Sequence, residues 1–312
     1  MNKKTACVTY FTDSRYDELI TNVENSFLKF NGNECDFYRV DYNNREEYNQ
    51  SLKYYEFAEE TFLMQYIYAY EIMRRYEYEK IIILGTDTIV CSRLDEFLDD
   101  DTPILATLNY YIQESGVGWK SPTEIVTLPE GNQYLEHLNV NADVCCFNSH
   151  EALKAVIQLS IENYDHFSIQ GGLNRMIHTE KFYEYKIVDS PYALSNVSYN
   201  CRSKGVPRTD MIKSGIIANC WPQNVHGFDY NWLKERNLID GQPSPIKDWY
   251  VKDDKLFTKD HKQIKCFHFV EGIGGRPLED FNRLINDFKT NWFNKETIKF
   301  FKENCECTIF FT

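Results

Sequence analysis

The chain has 312 residues, 43% of them hydrophobic and 26% charged, with a formal net charge of −13 at pH 7. That length supports a substantial core in one large domain, or in a domain with a smaller appendage. The negative balance argues against a general nucleic-acid binder, because no overall field attracts phosphate backbones, and no apolar run of about 18 residues is available to span a bilayer.

The opening MNKKTACVTYFT passes from two lysines straight into a strand pattern over 4–11, with too short and polar an apolar stretch for a signal peptide. TDSRYDELITNVENSFLKF then carries Leu19, Val23, Phe27 and Phe30 at helical spacing, with capping chemistry in Thr12, Asp13 and Ser14. CDFYRVDY (35–42) reads as a second strand, and a long helix is expected from about 56 to 76 through Phe57, Leu63, Ile67, Tyr70 and Met73. KIIILGTDTIV (80–90) begins with four consecutive apolar residues after Lys80, the signature of a strand buried on both faces. Gly85 interrupts it, Thr88-Ile-Val reads as its continuation, and SRLDEFL as a short helix. The first hundred residues thus read strand, helix, strand, helix, strand, which predicts an α/β fold with a parallel or mostly parallel sheet. Ligands of such sheets bind at the carboxyl ends of the strands.

Further strands are expected in ILATLNY (104–110), NVNADVCCFN (139–148) and YKIVDS (185–190), and helices in HEALKAVIQLSIENY (150–164) and from QGGLNRMIH (170–178). Residues 195–247 are loop-rich. DWYVKDDKLFTKDHKQIKCFHF (248–269) reads as short antiparallel strands with Lys/Asp turns. From Pro277 onward two amphipathic helices form a C-terminal tail, expected to pack on the body of the domain. The ten cysteines are scattered, several lie inside apolar strand patterns, and none forms a C-x-x-C pair. A reducing, cytoplasmic setting is therefore expected, in which the Asn196-Val-Ser198 sequon has no meaning.

Asp87 is the first residue with chemical interest. It either closes a turn at a strand end or offers oxygen to a hard divalent cation there. Its segment, LGTDTIVCSRLDEF, resembles the L-D-A-D-T-I-V segment of GT-A fold nucleotide-sugar glycosyltransferases, most closely those of family 8, the glycogenin and galactosyltransferase-like enzymes. Four other stretches resemble family segments in the same order: VTYFTDSRY (8–16), NADVCCFN (141–148), IQGGLN (169–174) and HFVEGIGGRP (268–277).

The resemblance implies a GT-A sheet flanked by helices, with a small antiparallel element, over 1–277, and a helical tail over 278–312. It implies a hexosyltransferase that takes a UDP-sugar, UDP-glucose or UDP-galactose foremost, to a hydroxyl of a glycan or protein acceptor. Retention is the expected stereochemistry and Mn²⁺ or Mg²⁺ the expected cofactor. No nucleic-acid partner is expected, and a homodimer is compatible with this reading. By the same resemblance Tyr16 would stack on uracil, with Tyr10, Thr12 and Asp13 at the nucleoside. Thr86, Asp87, Asn141, Gly272, Gly275 and Arg276 would contact the nucleotide sugar, and Gln170 and Asp143 would act at the donor sugar. Asp87 and His268, from distant parts of the chain, would share the metal.

The sequence departs from the family pattern at informative places. Gly85 stands where the first acid of D-x-D belongs, and Asp143 where N-A-G-V has glycine. Ile169 replaces an acid, Arg276 replaces a lysine after a stretched glycine segment, and the final tryptophan is absent. Arg276 can still offer a planar cationic fork to a pyrophosphate. Each site residue also has a plain structural alternative: His268 as a strand histidine between Phe267 and Phe269, Gln170 as an amide at a helix start, Asp143 as a buried acid satisfied by backbone. An inverting enzyme with Asp143 as general base is the mechanistic alternative. A catalytically degenerate protein that binds a nucleotide sugar or glycan is the functional one. A thiol hydrolase built on Cys145 or Cys146 would require a base within reach, and the strand pattern offers none.

Overall fold

In the computed structural model the described residues are 4–12, 14–48, 61–108, 140–162, 169–188, 249–257, 261, 263–268 and 293–308. In chain order they form β1 (Thr5–Tyr10), α1 (Asp17–Asn31), β2 (Cys35–Val40), α2 (Thr61–Arg75), β3 (Lys80–Leu84), β4 (Thr88–Val90), α3 (Asp95–Asp99), β5 (Ile104–Leu108) and β6 (Val140–Phe147). There follow α4 (His150–Glu162), α5 (Ile169–Arg175), β7 (Tyr185–Val188), β8 (Tyr250–Lys252), β9 (Lys255–Phe257), β10 (Cys266–His268) and α6 (Lys295–Asn304).

Six strands build the main sheet in the order β2-β1-β3-β6-β5-β7. β1 is parallel to both β2 and β3, and β5 is parallel to β7, whereas β6 runs antiparallel between β3 and β5. The expected mostly parallel α/β sheet is therefore present, with one reversed strand. From β1 the chain proceeds to one neighbour and later returns to the other, so the order reverses beside β1, where open α/β sheets offer a crevice at the strand ends.

The uninterrupted apolar run of β3 is explained by its two faces. Ile81 and Ile83 join a core shared with α2, α4 and α5, while Ile82 and Leu84 join one shared with α1 and α3. The reading of Thr88-Ile-Val as a continuation of β3 does not hold. The chain turns at Thr86 and Asp87, and β4 leaves the main sheet to pair antiparallel with β10. The cause is a local hydrogen bond, Thr88 Oγ1 to Gly85 O at 2.8 Å, which closes the turn. Ahead of α1 a short 3₁₀ turn over Ser14–Tyr16 intervenes, and the N-cap residue of the helix is Tyr16, with no side-chain cap; Asp13, one of the expected capping residues, lies outside the described residues.

A third core joins the C-terminal part of the chain to β4. Trp249, Phe267, Phe293, Phe300 and Phe301 pack with Phe11, Ile89 and Cys91. The β8–β9 hairpin turns on Asp253 and Asp254, both at positive φ. The early part of the tail, 278–292, lies outside the described residues, as do the 195–247 loops.

Two local contacts hold the layers in register. Arg93 donates to both Glu34 oxygens at 2.7 and 2.8 Å, to both Asp99 oxygens at 2.7 Å, and to Asp95 at 2.7 Å. These bonds hold the Glu34 and Asp99 carboxyls below the usual carboxylate range. At Gly172 an added Cβ would stand 2.0 Å from Ser160 Oγ and 2.7 Å from the carbonyl oxygen of Val156. The close approach of α5 to α4 therefore requires glycine at that position.

Because the Glu34 and Asp99 carboxyls titrate lower when folded, their contribution is complete above the unfolded value near pH 4 and is lost as pH falls through the folded values. Arg93→Gln should thus flatten the dependence of the melting temperature on pH between neutral and about pH 3. Gly172→Ala should destabilise the protein by about 1–3 kcal/mol through overpacking, read as a shifted urea midpoint at unchanged slope.

Candidate functional site

The site is built where β1 and β3 end and β6 begins. Leu84 lies opposite Val144 across the β3–β6 pair, and the next residue, Gly85, donates its N–H to the Asp143 carbonyl at 2.7 Å. Asp87 folds back over the same spot. From the point a Gly85 Cβ would occupy, Asp87 Oδ1 is 2.9 Å away, Asp143 Cβ 3.1 Å and Asp143 Cγ 3.5 Å. The side chains of Asp87 and Asp143, 56 residues apart in sequence, thus both pack against a residue with no side chain.

Asp143 reaches this position because β6 is irregular there. Its register against β5 slips between Ala106, opposite Cys145, and Thr107, opposite Asn141, so residues 142–144 bulge from that neighbour. Thr107 Oγ1 donates to Val144 O at 2.9 Å, and Asn141 Oδ1 accepts from the Asp143 N–H at 2.6 Å. Asn141 is 2% exposed and so holds the backbone that carries Asp143.

Helix α2 braces both strands with two adjacent residues that sequence reasoning passed over. Buried Gln65 donates to Leu84 O at 2.7 Å and to Val8 O at 3.3 Å, tying the ends of β3 and β1. Tyr66 donates to Ala142 O at 2.8 Å and lies 3.0 Å from Cys145 Sγ. The available signal is an amide inside TFLMQYIYAY, a helix otherwise almost wholly buried, where an amide must find a partner. On the other face α1 provides buried polar side chains: Ser26 Oγ accepts from Val90 N at 3.1 Å, and Asn31 Oδ1 from Leu94 N at 2.9 Å. Lys265, just before β10, pairs with Asp95 and Glu96 of α3.

Other residues singled out in the sequence fall as follows. His268 pairs with Thr88 in the β10–β4 register, so its backbone lies next to the turn bearing Asp87; only its backbone is described. Thr86 is half-buried in that turn, and Thr12 half-buried just past β1. Tyr10 is 4% exposed and meets Tyr68 edge-on at 4.9 Å, while Tyr16 is 7% exposed in the core with Phe11 and Ile89. Gln170 is half-buried in the first turn of α5, after a fully enclosed Ile169. Asp13, Gly272, Gly275 and Arg276 lie outside the described residues.

A hard divalent cation takes oxygen donors, and Asp87, whose Oδ1 lies beside Gly85, is a residue of that chemistry. Among the described residues no group of three or more His, Cys, Asp and Glu side chains converges as a metal site. The remaining positions of such an ion would fall to ligand oxygens, water, or residues not described. A thiol nucleophile is disfavoured by physical chemistry: Cys145 and Cys146 are fully buried, burial pushes the Cys145 thiol up to about 12, and Cys146 is raised as well. No helix among the described residues is long and apolar enough to cross a membrane.

No protein-family profile matches the chain, and no curated protein sequence matches it. Solved structures to which it is similar include glycosyltransferases. Apo GlyE of Streptococcus pneumoniae TIGR4 shares 14% identity over 62% of this chain and 48% of that one, with a TM-score of 0.37, so the match spans about half of that protein. A glycosyltransferase involved in glycosylation of the major capsid of PBCV-1 shares 14% identity over 60% of this chain and 82% of its own, at a TM-score of 0.36. The galactosyltransferase LgtC, in complex with donor and acceptor sugar analogues, shares 12% identity over 89% and 94% of the two chains, at a TM-score of 0.40.

Gln65→Leu tests the brace from α2. It would leave the Leu84 carbonyl without its buried amide donor and cost about 1–3 kcal/mol, read from urea unfolding.

Proposed function

We propose that this chain is a glycosyltransferase that moves a hexose from a UDP-sugar, UDP-glucose or UDP-galactose foremost, to a hydroxyl of a glycan or protein acceptor. The reaction is retaining and depends on Mn²⁺ or Mg²⁺. One observation carries this reading: of the five stretches that resemble family 8 segments, three have residues at one rim of the sheet, namely the end of β1, the turn after β3 and the start of β6, and His268, which opens a fourth, lies on β10 beside Thr88 of β4. Sequence order alone does not require that convergence.

The chemistry follows from what must be stabilised. Departure of UDP leaves growing negative charge on the pyrophosphate, and fixed positive charge or preorganised donors at that point lower the barrier. A divalent cation, when bound, supplies Lewis acidity to those phosphate oxygens. Asp87 is assigned to hold it, with His268 as partner from β10. Gly272, Gly275 and Arg276 are assigned to the pyrophosphate as exposed N–H groups and a cationic fork. Tyr10, Thr12, Asp13 and Tyr16 are assigned to the nucleoside end, Thr86 and Asn141 to the nucleotide sugar, and Gln170 to the donor hexose. Retention needs no protein nucleophile if the departing phosphate accepts the acceptor's proton on the same face. A nucleotide-sugar binding protein without turnover is the second reading, favoured by the enclosed Ile169 where the family pattern has an acid.

The test is a thermal-shift screen of UDP-, GDP-, ADP- and CMP-sugars with and without Mn²⁺, followed by measurement of UDP release. A UDP-hexose should raise the melting temperature, since a ligand bound only by the native state stabilises it. Asp87→Asn should lower Mn²⁺-dependent UDP release by about 100-fold or more. Binding without metal-dependent release from any common UDP-hexose would favour the binding-protein reading, and no binding at all would end both. An inverted anomer by NMR would instead make Asp143 the candidate general base.

A further inference from the structure

Three parallel strands end at the rim that bears Asp87: Tyr10 of β1 is paired with Val40 of β2, and Val8 with Ile83 of β3. Five large hydrophobic side chains are exposed among the described residues: Leu28, Tyr42, Tyr76, Phe182 and Tyr185. Leu28 lies on α1, Tyr76 directly after α2, and Phe182 and Tyr185 at the amino end of β7. Of the five, Tyr42 alone stands past the carboxyl end of a strand, two residues beyond β2, and it is 38% exposed. Tyr16, to which the resemblance gives the uracil, is instead enclosed with Phe11 and Ile89.

The turn that carries Tyr42 is braced on both sides. Asp41 Oδ1 accepts from the N–H of Asn43 at 2.7 Å and of Asn44 at 3.3 Å, while Asn44 Oδ1 accepts from the Asp41 N–H at 2.7 Å. Asn44 Nδ2 also donates to Arg39 O at 2.9 Å, which closes the turn on the end of β2. The Tyr42 ring meets Phe11 edge-on, with centroids 5.9 Å apart. The Arg39 guanidinium lies 5.0 Å from the Phe11 ring centre and is itself held by Asp17 Oδ1 at 2.8 Å. Phe11 continues the β1–β2 ladder, its N–H donating to Val40 O at 3.2 Å. A ring with two rotatable bonds on such a turn loses little entropy when a ligand covers it.

The geometry points to Tyr42 as the aromatic side chain that stacks on the base of the nucleotide, in the place the resemblance gives to Tyr16. This rests on the nucleotide-sugar reading above and deepens it. Neighbouring strands stand about 4.7–4.9 Å apart, so the ends of β2 and β3 are about 10 Å from each other across β1. A nucleoside diphosphate laid across the three ends spans that interval, with its base at Tyr42 and its phosphates toward the turn that carries Asp87. Stacking on an aromatic side chain tolerates any base, because each base has a π-face. Tyr42 therefore contributes affinity, and the choice of uracil falls to hydrogen-bonding groups around it.

The experiment is a calorimetric titration of the full chain and its variants with UDP and, separately, with inorganic pyrophosphate, both in the presence of Mn²⁺. A thermal melt without ligand checks that each variant folds. Tyr42→Ala should weaken UDP binding by about tenfold or more and pyrophosphate binding far less, since the lost stack acts on the base. Tyr42→Leu, which keeps apolar contact with Phe11 but has no ring, should lose UDP affinity with it. Tyr42→Phe, which keeps the ring, should restore UDP affinity relative to both. Tyr42→Ala should also cost more UDP affinity than Tyr16→Leu, and the reverse order would return the stack to Tyr16. Equal UDP affinity for Tyr42→Ala and the unaltered chain would overturn the assignment of Tyr42 and leave the nucleotide-sugar reading standing. An equal loss for pyrophosphate would overturn it as well, since the residue would then act on the phosphates. No UDP binding by the unaltered chain would end the reading and the assignment together.

Discussion

The close approach of β3 to β6 at Gly85 and Asp143 is the constraint around which the site is organised. An N–H to carbonyl bond of 2.7 Å draws the two strands together where one of them has no side chain. That contact joins a turn whose hydroxyl lock is Thr88 to a bulge whose backbone is held by Asn141 and Thr107. Neither carboxylate stands on a free loop. Asp87 sits in a turn closed by Thr88 Oγ1 on Gly85 O, and the backbone of Asp143 is held by Asn141 Oδ1 and by the Gly85 N–H.

Helix packing transmits this arrangement into the body of the protein. Gln65 and Tyr66 are neighbours on α2, yet one bonds the ends of β1 and β3 and the other bonds β6. Buried amides and hydroxyls of this kind carry a large desolvation cost unless paired, so pairing fixes the angle at which α2 crosses the sheet. On the opposite face Ser26 and Asn31 of α1 supply acceptors to the β4 segment. β4 lies outside the main sheet and pairs only with the short β10 among the described strands, so these acceptors complement a two-stranded ladder.

The C-terminal part of the chain belongs to the same construction. Phe267 of β10 packs with Trp249, Phe293 and Phe301 at ring separations between 5.3 and 5.9 Å, in a cluster that also holds Phe11 and Ile89. The residues immediately after β1 and those flanking β4 are therefore set against aromatic side chains from the far end of the sequence. Lys265 adds an ionic tie from the start of β10 to Asp95 and Glu96. His268 is brought beside Thr88 by apolar burial, with the antiparallel ladder supplying the register.

The sequence by itself determined the α/β class, the two-sided burial of KIIIL, and most of the strands and helices. These features rest on local periodicity and on residue types whose conformational preferences act over a few positions. The break between β3 and β4 escaped that reading because Thr88, Ile89 and Val90 suit a strand in either sheet, and partner choice is not local. Gln65 and Tyr66 likewise resembled ordinary members of a buried helix. Above all, Gly85 and Asp143 read as two separate losses of pattern along the chain. Only the tertiary structure decided that they form one pair, because cross-strand register, and the 3.1 Å that would separate an added Gly85 Cβ from the Asp143 Cβ, are properties of two segments brought together, not of either segment alone.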